Sequence, residues 1–520
     1  MAPISQFSPR LGAKRRSRAK VGDMQNGAKA DKEDDVGSHA CSEDDIRDSR
    51  EGGCCGWVSA ISVEPVMFLY MFAFMITSVV EQAFFVDRAC RVDLRLSDEI
   101  CSNLQNETFK DDNTEVQVVV STFFQWNQIV SHAPPILMAT LLGAWSDRHG
   151  RKGPLLLGLV GKLFYSAALV LNASQADWPL STVLWSAALP SALTGADVAI
   201  FANCFSYLAD VTTREQRTLR VAVLDVVYLS TMPTGVALGK YLWAGPLQRS
   251  YTLMFAVNAC LMLAAVVYAA VALRSRTAPG HEPLPRRADA CCADFWDWRA
   301  ARDTLATLAR RRPRRRRAIL CLIVIAVAFY TFQRDEKNMM YLYTQLVFHW
   351  SADVYSDFKT FQSAAYVLGV LLGVPVMSRL LRLSDTTVVM VGAVAHATAR
   401  LLYAFASTSV MLYVGAGIAG LGPVVIAVLR SIASKVVPLP ERGKLFALLA
   451  VADNAVPLVS GVLYSQLYNA TIRTLPSAIF WLTIASEVVV FSCTVIIRIF
   501  LRRAPLDAAD VETTGDSGET

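Results

Sequence analysis

Apolar residues in this chain gather into long, nearly unbroken runs rather than into the one-sided stripes of a soluble helix. A bilayer's hydrocarbon core, ~30 Å thick, takes about 20 apolar residues as a helix. Twelve runs of about that length or longer can be counted: 64–86, 117–142, 154–172, 180–208, 219–242, 251–273, 318–346, 358–379, 386–406, 409–436, 443–467 and 477–499. The pattern predicts an all-α membrane protein of twelve transmembrane helices. One long polar stretch divides the runs into two sets of six. The predicted organisation is a disordered cytoplasmic segment (1–57), a six-helix bundle (58–273), a basic cytoplasmic linker (274–317), a second six-helix bundle (318–500) and an acidic cytoplasmic tail (501–520).

Composition agrees with this reading. The 520 residues are 53% hydrophobic and 18% charged, against about 25% charged in soluble domains. The net charge of +6 matters less than its placement. Arg148, Arg151, Lys152, Arg214, Arg217, Arg220, the run Arg310 to Arg317, Arg379, Arg382, Lys435, Arg442 and Lys444 all fall in alternate loops. Short cytoplasmic loops carry such an excess, so both termini are expected inside. This distribution points to membrane orientation, with the lipid bilayer as partner, and not to nucleic acid. The opposite loops hold three glycosylation sequons, at Asn106, Asn172 and Asn469. Cys90 and Cys101 share one of these outer loops, either as a disulfide or as two free thiols. The eleven cysteines have no metal-ligand spacing. No nucleophile elbow or phosphate loop is present, so neither an enzyme nor a cofactor is implied.

The halves repeat one another. Leu141-Leu142-Gly143, followed by Arg148 and Arg151, recurs as Leu371-Leu372-Gly373, followed by Arg379 and Arg382. Asp225 inside run 5 is echoed by Asp453 inside run 11. Parallel repeats of this kind place a ligand site at the midplane between halves.

Charged side chains at the centre of a span cost ~2.5–3.5 kcal/mol on insertion scales, so they face a cavity or a partner. The spans nevertheless contain Glu81, His132, Lys162, Asp197, Asp225, Lys240, Arg334-Asp335-Glu336-Lys337, His396, Arg400, Arg430, Asp453 and Glu487. Asp225, Asp453 and Asp197 are the candidates for carrying a proton; for Asp225 a structural pairing with a basic neighbour is the alternative. Arg430, Arg334, Glu336 and Arg400 are the candidates for holding a substrate. For Arg430 the alternative is snorkelling to the nearby interface. Arg334 to Lys337 read either as a gate or as the solvated mouth of a span. His132 and His396 read as satisfied structural histidines.

Between runs 2 and 3 stands Gly143-Ala144-Trp145-Ser146-Asp147-Arg148-His149-Gly150-Arg151-Lys152. Gly143 is expected to allow a close helix approach, Gly150 to make the turn, and Asp147 to pair with Arg151 or to cap a helix. The pattern resembles the loop signature of the major facilitator superfamily. Further stretches narrow the likeness: Val63-Glu64-Pro65-Val66-Met67-Phe68-Leu69, Ala209-Asp210-Val211-Thr212, Arg217-Thr218-Leu219-Arg220, and Glu441-Arg442-Gly443-Lys444-Leu445-Phe446. Together they resemble the family of proton-coupled folate transporters and thymic stromal cotransporters. The resemblance implies a secondary transporter importing a bulky organic anion with protons: a folate, a muropeptide or a cyclic dinucleotide. It places Asp225 at a coupling acid, Arg430 at a functional arginine, and Asp147 and Arg151 in the conformational signature. Three positions depart from it. Gln333 stands where the folate branch has a histidine. Asp197 falls one place, about 100° round a helix, from that branch's aspartate. His349 stands where Cys101 would have a partner. The competing expectations are proton-driven drug efflux and a non-transporting receptor or scaffold.

Overall fold

The computed structural model describes residues 61–212, 216–275, 316–437 and 442–503. The N-terminal segment, nearly all of the basic linker, Arg214, Glu441 and the acidic tail lie outside the described residues. Among the described residues, nine helices are long and apolar enough to cross a membrane, and a bent pair, Glu64–Thr77 with Val80–Asp93, makes a tenth. Lys110–His149 and Arg442–Thr471 complete twelve long helical segments, at 40 and 30 residues. Gln117, Gln125, Gln128, Asp453 and Asn454 interrupt the apolar runs of these two. That polarity has a use, since the two helices face each other where the halves meet.

In chain order, span 1 is the bent pair and span 2 is Lys110–His149. Spans 3 to 6 are Lys152–Ser174, Ser181–Val211, Arg217–Ala244 and Tyr251–Ala272. Spans 7 to 10 are Arg316–Phe348, Ala352–Leu380, Asp385–Ala404 and Ser409–Val436. Spans 11 and 12 are Arg442–Thr471 and Ala478–Arg503. Span 2 continues as helix through Pro134 and Pro135.

The cores show where the halves meet. At the end bearing the loop of Cys90 and Cys101, residues of both halves share one apolar cluster, from Phe84, Phe85 and Phe123 through Tyr341, Tyr355 and Phe480. At the end bearing the Gly143–Lys152 signature, each half has its own: Met67, Leu155, Tyr207 and Met262 in one, and Ile319, Val389, Leu429 and Ile497 in the other. Cross-half hydrogen bonds follow the same division. Gln117 donates to the Leu342 carbonyl at 3.1 Å, and Tyr468 donates to Gln117 at 2.6 Å. The Ser465 hydroxyl donates to the Ser121 carbonyl at 2.9 Å. Lys240–Asp357 (2.6 Å) and Arg249–Asp353 (2.7 Å) tie spans 5 and 6 to span 8. The bundle is therefore closed at the disulfide end and parted at the signature end.

Four spans break near mid-length. Span 1 bends by 41° between its two pieces. Span 7 tightens to a 3₁₀ turn at Gln333–Asp335. Span 4 breaks at Gly195 (φ +82), and span 10 interrupts between Ala419 and Val424. Spans 1 and 7, and 4 and 10, occupy equivalent places in the two sets of six, so the sequence repeat has a structural counterpart. Broken helices are tolerated at membrane depth where the freed backbone lines a cavity or is buried in protein. At Gly195 a side chain is doubly excluded: φ is positive, and a β-carbon would fall 2.9 Å from Leu142.

Two local expectations need correction. A β-carbon on Gly143 would meet nothing within 4 Å, because span 2 at this end lies where the halves have parted. A close backbone approach is found instead at Gly369, whose β-carbon would fall 1.8 Å from the Gly420 carbonyl. Asn172 is not an open sequon. It is buried inside span 3, and its amide donates to Ala168 and Ser186, both at 2.8 Å. Asn469 is also inside a helix, donating to Thr122 of the other half at 3.2 Å. Asn106 is exposed in the loop between spans 1 and 2. Cys90 and Cys101 are disulfide-bonded, with Cα atoms 5.8 Å apart.

Candidate functional site

The signature loop holds its own half together. Gly150 turns the chain at φ +102. Arg151 reaches Asp210 at the end of span 4 (3.2 Å) and the Ser146 hydroxyl (2.7 Å). Lys152 donates to the carbonyls of Ala270 and Leu273 at 2.7 and 2.8 Å. It thereby satisfies groups that the end of span 6 leaves unpaired, where a cation is favoured. Arg148 closes the C-terminal turn of span 2. The side chain of Asp147 lies outside the described residues, so Asp210 is the described acidic partner of Arg151.

A small cavity, partly open to solvent, lies between the halves near the middle of the spans. Ser131, His132, Lys162, Asp197, Arg334 and Asn454 are among the residues lining it. Span 4's break turns Asp197 into this space. Positive φ values at Gly195 and Ala196 mark the break just before it. Lys162 meets Asp197 at 2.7 Å, and the Tyr70 hydroxyl donates to the same carboxylate. One turn along span 3, Tyr165 donates to Glu81 at 2.5 Å, and the Lys162 ammonium sits 5.5 Å from the Tyr165 ring centre. The first half thus presents two acids, each held by a tyrosine hydroxyl, with one lysine between them.

The facing wall comes from span 7. Arg334 is exposed into the cavity and makes no ion pair among the described residues. One turn on, Lys337 is exposed and lies 5.9 Å from the Tyr366 ring centre. Neither cation has an ion-pair partner among the described residues, and anions are what such groups can recognise. Asp335, beside them, is buried and accepts hydrogen bonds from Gln128 of the first half and from Ser460.

Two of the residues expected to hold a substrate, Arg400 and Glu336, are buried and paired with each other. Arg400 is 1% exposed; its guanidinium meets Glu336 and Gln333, each at 3.2 Å. Glu336, 3% exposed, also accepts from Thr483. Both side chains are consumed by a buried network behind the cavity wall. A buried arginine needs its carboxylate close by, because the lone charge is too costly to desolvate. Neither lines the cavity.

At the parted mouth, Arg430 and Asp453 pair at 2.6 Å, and Thr331 donates to Asp453 at 2.8 Å. Arg430 is exposed there. Asp225 is half-buried on the opposite wall, has no hydrogen-bonded partner among the described residues, and lies within electrostatic reach of Arg430. Asp225 and Arg430 therefore face each other across the opening, one from each half. Sequence reasoning did not single out Tyr70 and Tyr165, since a tyrosine in an apolar run carries no signal. Only their carboxylate partners give them a role.

The profile of the Major Facilitator Superfamily matches residues 65–360. The chain belongs to that superfamily. Among curated proteins it is 24% identical over 431 residues to the probable peptidoglycan muropeptide transporter SLC46 of Drosophila melanogaster, covering 80% of this chain and 81% of the relative. It is 26% identical over 424 residues to the proton-coupled folate transporter of Bos taurus, covering 79% and 86%. Among solved structures, that of the human organic anion transporter MFSD10 aligns with a TM-score of 0.57 over 84% of this chain and 98% of its own, at 14% identity. The fold is that of a membrane transporter with two related halves about a central cavity.

Proposed function

We propose that this transporter moves an organic anion together with protons, by alternating access, with both termini in the cytoplasm. One observation carries the reading: Arg334 lies without a carboxylate partner among the described residues, in a cavity sealed on one side and parted on the other. A free guanidinium in a low-dielectric cavity favours carboxylate or phosphate groups. The signature end is then cytoplasmic, and the state described above is open inward. The proton candidates are Asp225, Asp453 and Asp197, of which Asp225 is the one without a bonded partner. The sequence relatives named above, a muropeptide and a folate transporter, make organic acids the first substrates to try. An acidic exterior or lysosomal lumen supplies the driving gradient in either of two locations, the plasma membrane or the lysosome.

The test is flux in proteoliposomes. Radiolabelled folate and muropeptide should accumulate only when the disulfide side is the more acidic, and a collapsed gradient should abolish accumulation. Depletion under the same gradient would instead mean efflux. Asp225→Asn is expected to flatten the acid-stimulated component of uptake; a pH dependence of unchanged amplitude would remove Asp225 from the coupling role. A second expectation follows from the sealed end. Ser121 and Ser465 exchange hydrogen bonds across the halves. A Ser121→Cys/Ser465→Cys pair should cross-link on oxidation and stop uptake, with recovery on reduction. Full activity of the cross-linked protein would exclude opening at that end.

A further inference from the structure

Behind the cavity wall, in the second half, lies a pair that the proposed cycle does not use. His396 of span 9 and Glu487 of span 12 are 2% and 1% exposed, and Nδ1 of the histidine meets the carboxylate at 3.2 Å. The pair is incompletely satisfied: among the described residues, neither His396 Nε2 nor Glu487 Oε2 has a hydrogen-bond partner of good geometry. Unpartnered polar atoms are rare at such burial and call for an explanation.

The unpartnered nitrogen points at the break of span 10. A β-carbon on Gly422 would fall 1.8 Å from Nε2, so the ring lies directly against the backbone there. The Ala419 carbonyl, which accepts from Gly422 N–H at 2.8 Å, lies beside the same ring. A neutral imidazole that donates from Nδ1 to Glu487 turns a lone pair toward this carbonyl, which is a repulsive contact. A protonated imidazole turns an N–H toward it instead, and so can donate. The two protonation states therefore interact with the span 10 break with opposite sign.

Other groups face the ring from every neighbouring span. Tyr330 of span 7 stacks on it at 5.8 Å between centroids, and Tyr366 of span 8 lies at 6.4 Å. Arg400, one turn along span 9, is committed to Glu336, and Lys337 is within electrostatic reach. Span 10 contributes only backbone. Lys337 sits over Tyr366, whose ring also approaches His396, and is itself exposed, so Lys337 and Tyr366 mark a short route from water to the pair.

We infer that His396 and Glu487 form a proton-binding pair that sets the break of span 10, and through it the helix Val424–Val436 that carries Arg430. Proton binding fastens the break by a new hydrogen bond to the backbone; proton loss releases it. This inference deepens the proposed proton coupling, and its test needs neither a substrate nor a gradient. Failure of uptake would therefore leave it standing or falling by itself.

The test is amide hydrogen exchange of the full chain in nanodiscs at about pH 5.5 and about pH 7.5, corrected for intrinsic exchange, a window that spans the ordinary imidazole range. The segment 417–425 should exchange more slowly at the acid pH by roughly threefold or more, with span 6 unchanged as a control. His396→Gln, which keeps the volume and removes the titration, should abolish the difference, and so should Glu487→Gln. A wild-type segment insensitive to pH, or faster in acid, would overturn the inference. So would a difference that persists in either variant. Should Glu487→Gln fail to fold, the wild-type and His396→Gln arms still decide it.

Discussion

Arg400→Met will yield little folded protein, and Arg400→Met combined with Glu336→Gln will restore most of it. The single change leaves Glu336, 3% exposed, without its counter-charge. Removing one partner of a buried ion pair costs about 3–5 kcal/mol, whereas replacing both is often close to neutral. The Thr483 hydroxyl still donates to position 336 in the double variant, so the amide has a partner. The loss therefore belongs to an unpaired charge, not to missing volume. Size-exclusion of solubilised, fluorescently tagged protein gives the folded fraction. Equal yields of single and double variants would mean that the pair is not what holds spans 7, 9 and 12 together. This outcome also separates the buried network from the transport site, because a substrate-binding arginine can be removed without loss of fold.

Arg334→Ala is expected to fold normally and to lose affinity for anionic substrates. Its side chain is exposed into the cavity and supports no other group among the described residues. Charge-assisted hydrogen bonds contribute about 1.5–3 kcal/mol, which corresponds to a rise of roughly tenfold to a hundredfold in KM. Lys337, one turn away, keeps some attraction for the anion, so uptake should weaken rather than vanish. Arg334→Lys should recover less than the wild type, because an ammonium cannot make the two parallel bonds of a guanidinium fork. KM and maximal rate measured for a carboxylated probe and for its neutral ester decide the matter. Equal losses for both would assign Arg334 to gating instead.

The two variants mark the limit of what can be read from residues in a row. Arg334 and Arg400 gave the same sequence signal: an arginine in an apolar span. One is open and unpaired, the other sealed behind Gln333 and Glu336. Arg334 and Glu336 are two residues apart, about 200° round the helix, so one faces the cavity while the other meets Arg400 in the buried network. Asp197 teaches the same lesson in reverse. It falls one residue from the position that the resemblance implies, yet it lines the cavity, just after the break at Gly195. His396 and Glu487 lie 91 residues apart, and no local pattern joins them.

The sequence by itself determined the class of protein. Each long apolar run must be a membrane helix because lipid leaves backbone polar groups no other partner, and the alternating cationic loops carry the expectation of which loops share a side. The signature and the repeat added the family. The tertiary structure alone decided which ionic groups are free and which are spent, and which end of the bundle is shut. Those properties depend on helix breaks and on contacts between distant spans, and a buried charge acquires its role only from the partner that desolvation forces upon it.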